Sequence, residues 1–282
     1  MPEPTVAAQP GMVPGSHSGT GTMFAALYGD LTSYPWHDPE HDAYLLFYQR
    51  SEAMGWLDNG PISTPGRTLG LWGMNDAGWE DPRNAGTGLV SWFQVEVNAV
   101  AGDRPLPVQP FLRCAQDATM RAGALELSAV QILLPVQGLD PALRPRNATV
   151  PAIRTAQWFN SCDPRARTAV QVSINSGRES HLPAVASQLI DFLARLDQEV
   201  FVYQSHALAG NTKDDGTPPP PPPFDDSFWN GPPLNGIVLH GSIIEWSCDA
   251  IGWLAAVVAD SAAYLGVHSP VLLTVTHSLQ SR

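Results

Sequence analysis

The sequence predicts an α+β protein of the two-layer sandwich kind, and three observations predict it. Short segments alternate apolar and polar residues, as in Phe93, Val95 and Val97 against Gln94, Glu96 and Asn98, the period of a strand with one buried face. Between them lie segments with apolar residues three and four apart, as in Val185, Leu189, Phe192, Leu193 and Leu196, the stripe of a helix laid on a sheet. Over the C-terminal half the two kinds follow one another as β-α-β-β-α-β. That is the order of a ferredoxin-like unit, in which two helices cover one face of a four-stranded antiparallel sheet.

Taken in order, residues 1–22 are rich in Pro, Gly and Ser without apolar periodicity and read as a disordered tail. Met23 to Asp30 reads as a first strand. Asp38-Pro39-Glu40 supplies an N-cap, a proline at the first helical position and an acid in the first turn, so a helix is expected to start there and run through Ala43 to Tyr48. Gly55 to Gly88 sets Trp56, Trp72 and Trp79 among Gly, Asn and Asp. Only a short strand near Thr68 to Trp72 is expected in it. A strand at Ser91–Ala99, a helix from Pro107 to Ala122 with Phe111, Ala115, Ala118 and Ala122 on one stripe, and a strand at Leu125–Val136 form a first β-α-β unit.

The second unit has a strand from Arg167 that sets Val170, Val172 and Ile174 against Gln171, Ser173 and Asn175, a helix from Pro183, and a strand at Val200–Leu208. The third has a strand at Gly236–Trp246, a helix at Cys248–Gly266 seamed by Ile251, Leu254, Val258 and Leu265, and a strand at Pro270–His277. Residues 151–282 thus read as a ferredoxin-like domain and residues 23–150 as a degenerate copy, giving tandem halves. One continuous sheet of three β-α-β units is the competing topology. Gln94-Val-Glu-Val-Asn98 recurs as Gln171-Val-Ser-Ile-Asn175, and Leu106-Pro107 as Leu182-Pro183, which raises internal duplication. The insertion at 209–234 holds six consecutive prolines, Pro218 to Pro223. It is too long for a hairpin and reads as an extended proline-rich arm or loop outside the core, a stiff spacer more than a ligand for a partner's aromatic groove.

Charge and cysteine usage exclude several classes. The chain carries a formal net charge of −12, spread over both halves, and its basic residues are scattered, with Lys213 the single lysine. An acidic field without a basic patch argues against nucleic acid and anionic membrane, and favours a cationic ligand or a basic protein surface, the sign of the charge identifying neither. The first basic residue is Arg50, so no charged leader region is seen, and the apolar stretch Ala250–Ala259 is about half a membrane span. A cytoplasmic location is expected. Cys114, Cys162 and Cys248 are odd in number and form no CxxC pair, which argues against a disulfide framework and a cysteine-rich zinc site. The Asn147-Ala-Thr149 sequon then reads as accidental. With no nucleotide, nucleophile-elbow or kinase pattern, no cofactor is expected.

Candidate chemistry lies on the sheet face the helices leave open. Gln94, Glu96 and Asn98; Gln171, Ser173 and Asn175; Gln204 and His206; His240 and Ser242; and Thr274 and Thr276 share that face by alternation. Two such sheets packed face to face would gather them into a cleft for a small polar molecule, because buried polar groups need partners. His206, His240 and Glu96 are then the acid/base candidates. Left uncovered, the same residues are an ordinary wet face, or a surface for homo-oligomers.

Cys248 stands where a strand hands over to a helix, a place that can lower a thiol pKa, but Asp249 opposes this and a small buried cysteine is the favoured reading. His37 and His41 lie four apart among Asp38, Glu40 and Asp42, a metal-site spacing on a helix; Pro39, however, puts His37 before the helix, and capping explains the acids. Two functions follow: a non-catalytic protein-interaction protein that uses its acidic surface, or a small-molecule enzyme or binder on the polar face. The sequence favours the first.

Overall fold

The computed structural model describes residues 20–38, 40–58, 70–79, 88–100, 104–143, 156–208 and 219–277. Among these, eight strands run as β1 (Gly21–Ser33), β2 (Trp72–Trp79), β3 (Leu89–Val97), β4 (Gly123–Leu134), β5 (Thr168–Asn175), β6 (Phe201–Leu208), β7 (Gly236–Ile243) and β8 (Val271–His277). The α-helices are α1 (Ala43–Ala53), α2 (Val108–Ala122), α3 (His181–Ala184), α4 (Ala186–Arg195) and α5 (Cys248–Tyr264).

The strands make one sheet in the order β2-β3-β1-β4-β8-β5-β7-β6, and every neighbouring pair is antiparallel. The halves therefore do not stack their sheets face to face, as a shared cleft would require. They join edge to edge through β4 and β8, from Ala129 opposite Thr276 to Leu134 opposite Val271. The sheet is continuous, as the competing topology had it, but mixed α+β and wholly antiparallel.

One face of the sheet carries the helices and the main core. Met23, Ala25 and Leu27 of β1, Phe93, Val95 and Val97 of β3, Val170, Val172 and Ile174 of β5, and Val271, Leu273 and Val275 of β8 all point into it. From above, Phe111 and Leu112 of α2, Leu189 of α4 and Ile251 and Leu254 of α5 complete it, each large side chain adding about 1.5–3 kcal/mol by leaving water. α5 is buried along nearly its whole length, since α2 and α4 flank it and the sheet lies beneath. Its residue Gly252 lets α2 come close: a Cβ there would sit 2.7 Å from Gln109 Cα. Asp117 of α2 adds a polar clasp, meeting Arg50 of α1 at 2.6 Å and Arg113 at 3.1 Å, while Arg113 reaches Asp249 of α5 at 3.2 Å.

Several expectations shift. β1 begins at Gly21, two residues inside the expected tail, and its buried run Met23–Tyr28 is apolar toward both faces. α1 starts at Ala43, capped by Asp42, whose carboxylate accepts from the Leu45 N–H at 2.7 Å. Asp38 instead accepts from the Glu40 N–H in a local turn. Burial decides between them, because Ala43, Phe47 and Ser51 form the buried stripe and Asp42 is the first residue before it. β2 starts at Trp72, where the expected strand ended, and β7 ends at Ile243, with Ile244 joining the helix-side core. The helix expected from Pro183 begins at His181 and breaks at Val185. The sequence match between residues 94–98 and 171–175 equates the third strand of one half with the first of the other, so it does not relate matching places in the sheet. The expected domain boundary at 150/151 and the Asn147 sequon lie outside the described residues. Among the described residues no helix is long and apolar enough to cross a membrane.

Gly252→Ala tests the helix layer. The clash with the α2 backbone should outweigh the roughly 1 kcal/mol gain in helix propensity and lower stability by about 1–3 kcal/mol, read as a drop in denaturation midpoint at constant m-value. An unchanged midpoint would mean that α2 and α5 separate freely.

Candidate functional site

The face opposite the helices is polar on one side and apolar on the other. Over the C-terminal half the registers place Thr276, Gln171 and His240 side by side on β8, β5 and β7, with Thr274 and Ser173 in the next row. Gln171, Ser173, His240 and Ser242 are half-buried. The sequence expectation of a shared polar face therefore describes this stretch well. It fails on β6, where the register slips between Tyr203 and Ser205 and turns His206 opposite Leu239, a residue of the helix-side core. The slip reverses the alternation that put Gln204 and His206 beside His240. His206 instead holds the Tyr203 hydroxyl at 2.8 Å through Nδ1.

The remaining candidates do different work. Asn98 Nδ2 donates to Asp58 at 2.9 Å and to the Gly70 carbonyl at 2.8 Å, tying the end of β3 to the preceding loop. Glu96 accepts from the Thr22 hydroxyl across β1 and β3. Asn175 turns its Oδ1 to the Gly177 N–H. Gln94 is buried, with an Oε1 that has no hydrogen-bond partner among the described residues. Five strand spacings separate β3 from β7, roughly 24 Å measured across the sheet, so Glu96 and His240 do not meet at one reacting bond.

Over β1 and β4 the open face is apolar and covered. Phe24, Ala26, Tyr28, Ala129, Leu133 and Leu272 form a second core with Phe224 and Trp229, both of which belong to the expected solvent arm. Residues 219–234 are thus a strap lying on the sheet. Phe224 meets the Phe24 ring edge-on at 4.9 Å, and Trp92 stacks on Phe24 at 5.7 Å. Gln131, 1% exposed, donates to the Pro220 carbonyl at 3.0 Å and to the Thr274 hydroxyl at 3.1 Å. The Tyr28 hydroxyl lies 3.2 Å from the Pro221 carbonyl oxygen and 3.3 Å from Gln131 Oε1. The strap's return is fastened to the β5–α3 turn, where the Arg178 N–H donates to the Asn230 carbonyl at 2.9 Å and the Asn235 N–H to the Gly177 carbonyl at 3.0 Å. Sequence reading missed this site; Phe224, Phe228 and Trp229, four and five residues apart after the prolines, were the signal that the segment docks.

A second distinctive surface sits between β1 and α1. Trp36, 75% exposed, stacks on Tyr34 at 4.7 Å with 8° between the rings, and His37 meets Trp79 edge-on at 6.4 Å. Asp38, Glu40 and Asp42, all exposed, follow in the same segment. His37 and His41 both precede α1, so no helical face unites them. Among the described residues no group of three or more His, Cys, Asp or Glu is arranged to hold a metal. Between α1 and α2 lies a groove of about 700 Å³ lined by Arg50, Arg113 and Arg121, where Asp117 pairs with the first two.

The cysteines are poor nucleophiles. Cys248 is fully buried at the start of α5, and burial, with Asp249 adding to it, pushes its thiol up to about 12. Burial does the same to Cys114. Burial and the neighbouring Glu245, whose Oε2 is 3.3 Å from Cys162 Sγ, raise the third. No protein-family model matches the chain, and no curated protein or solved structure matches it.

Two expectations follow. A thiol reagent at pH 8 should leave Cys114 and Cys248 unmodified until the protein unfolds, since thiolate forms only near pH 12; rapid labelling of native Cys248 would mean that the helix terminus outweighs burial. Gly177 sits at φ +68°, and a Cβ there would strike the Asn230 carbonyl oxygen. Gly177→Ala should therefore loosen the strap, seen as faster amide exchange at Arg178 and Asn235 than in wild type, with β1 and β4 amides unchanged.

Proposed function

We propose that the protein is a non-catalytic interaction protein that engages a basic protein partner through the aromatic and acidic surface between β1 and α1. The observation that carries this reading is Trp36, an indole 75% exposed and stacked on Tyr34. A pre-stacked exposed aromatic offers its π face to a guanidinium or ammonium group, and such anchors dominate interface energies. Asp38, Glu40 and Asp42 are exposed in the segment that follows it, and the chain's net charge of −12 favours the approach of a cation. The wide separation of Glu96 and His240, and the burial of Cys248, support binding over catalysis.

Two finer readings belong with this proposal. Each half has the element order β-α-β-β-α-β, with lateral orders β4-β1-β3-β2 and β8-β5-β7-β6; the first strand lies between the fourth and third in both. That common order supports a tandem of ferredoxin-like halves. Three free thiols suit a reducing, cytoplasmic location.

Titration with an arginine-rich peptide, followed by tryptophan fluorescence and calorimetry, tests the reading. Wild type should bind, with affinity falling as salt rises, and Trp36→Ala should weaken binding about tenfold or more. Equal binding by Trp36→Ala, or none by wild type at low salt, would overturn it.

A further inference from the structure

A separate surface carries a second inference. We infer that the open face of β1 and β4 is a recognition site for a proline run followed by an aromatic residue. The chain fills it with its own residues 219–229, and a proline-rich segment of a partner protein competes for it in trans.

The chemistry of the seated segment points this way. Consecutive prolines have no N–H to donate and leave every carbonyl free to accept. A surface that recognises them must supply donors and flat apolar contacts, and it meets a ligand that is already stiff and loses little entropy on binding. The face offers both. Gln131 Nε2 and the Tyr28 hydroxyl reach the consecutive carbonyls of Pro220 and Pro221, and Phe24, backed by Trp92, receives Phe224 and Phe228. The donors are also set in advance. Thr274 accepts the other proton of the Gln131 amide, which fixes the side chain beneath the strap, and β1 pairs with β4 so that Ala26 faces Gln131 and Tyr28 faces Ala129. A buried glutamine amid Phe24, Leu133 and Leu272 is costly unless its amide is used, and here its outward bond goes to proline backbone.

The fit in cis leaves a polar group of the strap itself unused. Trp229 Nε1 and Gln94 Oε1 are buried with no hydrogen-bond partner among the described residues, at 3% and 4% exposure. The Trp229 group, which belongs to the strap, disfavours the closed arrangement. Pro219 and Pro221 stay exposed. A tethered ligand of this kind acts as an intramolecular competitor whose effective concentration sets the threshold for an outside one.

The test uses the full chain with Pro219–Pro223 replaced by Gly and Ser, and as probe a fluorescent peptide with the sequence of residues 219–229, PPPPPFDDSFW. Anisotropy should show the altered chain binding the peptide at least about tenfold more tightly than wild type. Tyr28→Phe with Gln131→Leu in that background should weaken binding about tenfold or more, and a peptide with alanine for proline should not bind. Circular dichroism checks the fold of each chain. If the five-residue replacement does not fold, the milder pair Pro220→Gly and Pro221→Gly carries the same expectation. No binding by a folded, strap-altered chain would overturn the inference, as would binding indifferent to Tyr28 and Gln131. So would a wild-type dimer in native mass spectrometry that dissociates on strap replacement, which would make a second copy the occupant. Trp36→Ala should leave peptide binding unchanged, so the outcome is independent of the surface between β1 and α1.

Discussion

The pairing of β4 with β8 is the contact on which the rest of the architecture depends. Each is the last strand of its half, and their antiparallel ladder from Ala129–Thr276 to Leu134–Val271 turns two four-stranded sheets into one of eight. Both halves then put their helices on the same side, because the join sets Val130, Ile132 and Leu134 beside Val275, Leu273 and Val271 in one continuous apolar surface. α5 is laid against α2 as a result, and Gly252 marks how closely the two halves meet over the join. The main core runs without a break from Phe93 in β3 to Ile243 in β7.

The same pairing leaves a second face eight strands wide, and the molecule treats its two parts differently. Over β7, β5 and β8 the face is polar, and Gln171, His240 and Ser173 remain half-buried. Over β1 and β4 the residues are Phe24, Ala26, Leu133 and Tyr28, too apolar to be left in water. The insertion between β6 and β7 crosses the sheet to cover them, its prolines held by Gln131 and Tyr28 and its aromatic residues by Phe24. An element that belongs to the second half by sequence thus completes the core of the first. This crossing ties the halves together on the second face as α2 and α5 do on the first, and it turns a proline-rich stretch from spacer into ligand.

Much of the fold was legible in the residues. The alternation of Phe93, Val95 and Val97 and of Val170, Val172 and Ile174 located β3 and β5, and the stripe through Phe111, Ala115 and Ala118 located α2, all within two residues. Legibility failed where a segment is buried on two sides or signalled by isolated aromatics. β1 is apolar toward both faces, so period-two reasoning found only its middle. β2, Trp-Gly-Met-Asn-Asp-Ala-Gly-Trp, has glycines and an edge position, and neither produces an alternation. Of the candidate site, Gln171, Ser173 and His240 were correctly set on one face, whereas His206 was lost to a one-residue register slip that no local pattern announces. Burial of Cys248 raises its thiol pKa, against the lowering that a helix start can give.

By itself, the sequence determined the alternation of strands and helices, the order of elements in the C-terminal half and a formal net charge of −12. These are local or additive properties, set by side-chain period, capping chemistry and charge count. Tertiary structure alone decided that the halves join by their edges, that Glu96 and His240 lie strands apart, and that the prolines lie on Tyr28 and Gln131. The first and last of these bring together residues roughly ninety or more positions apart, and partner choice at that range follows from which apolar face is left uncovered once the sheet has closed its register.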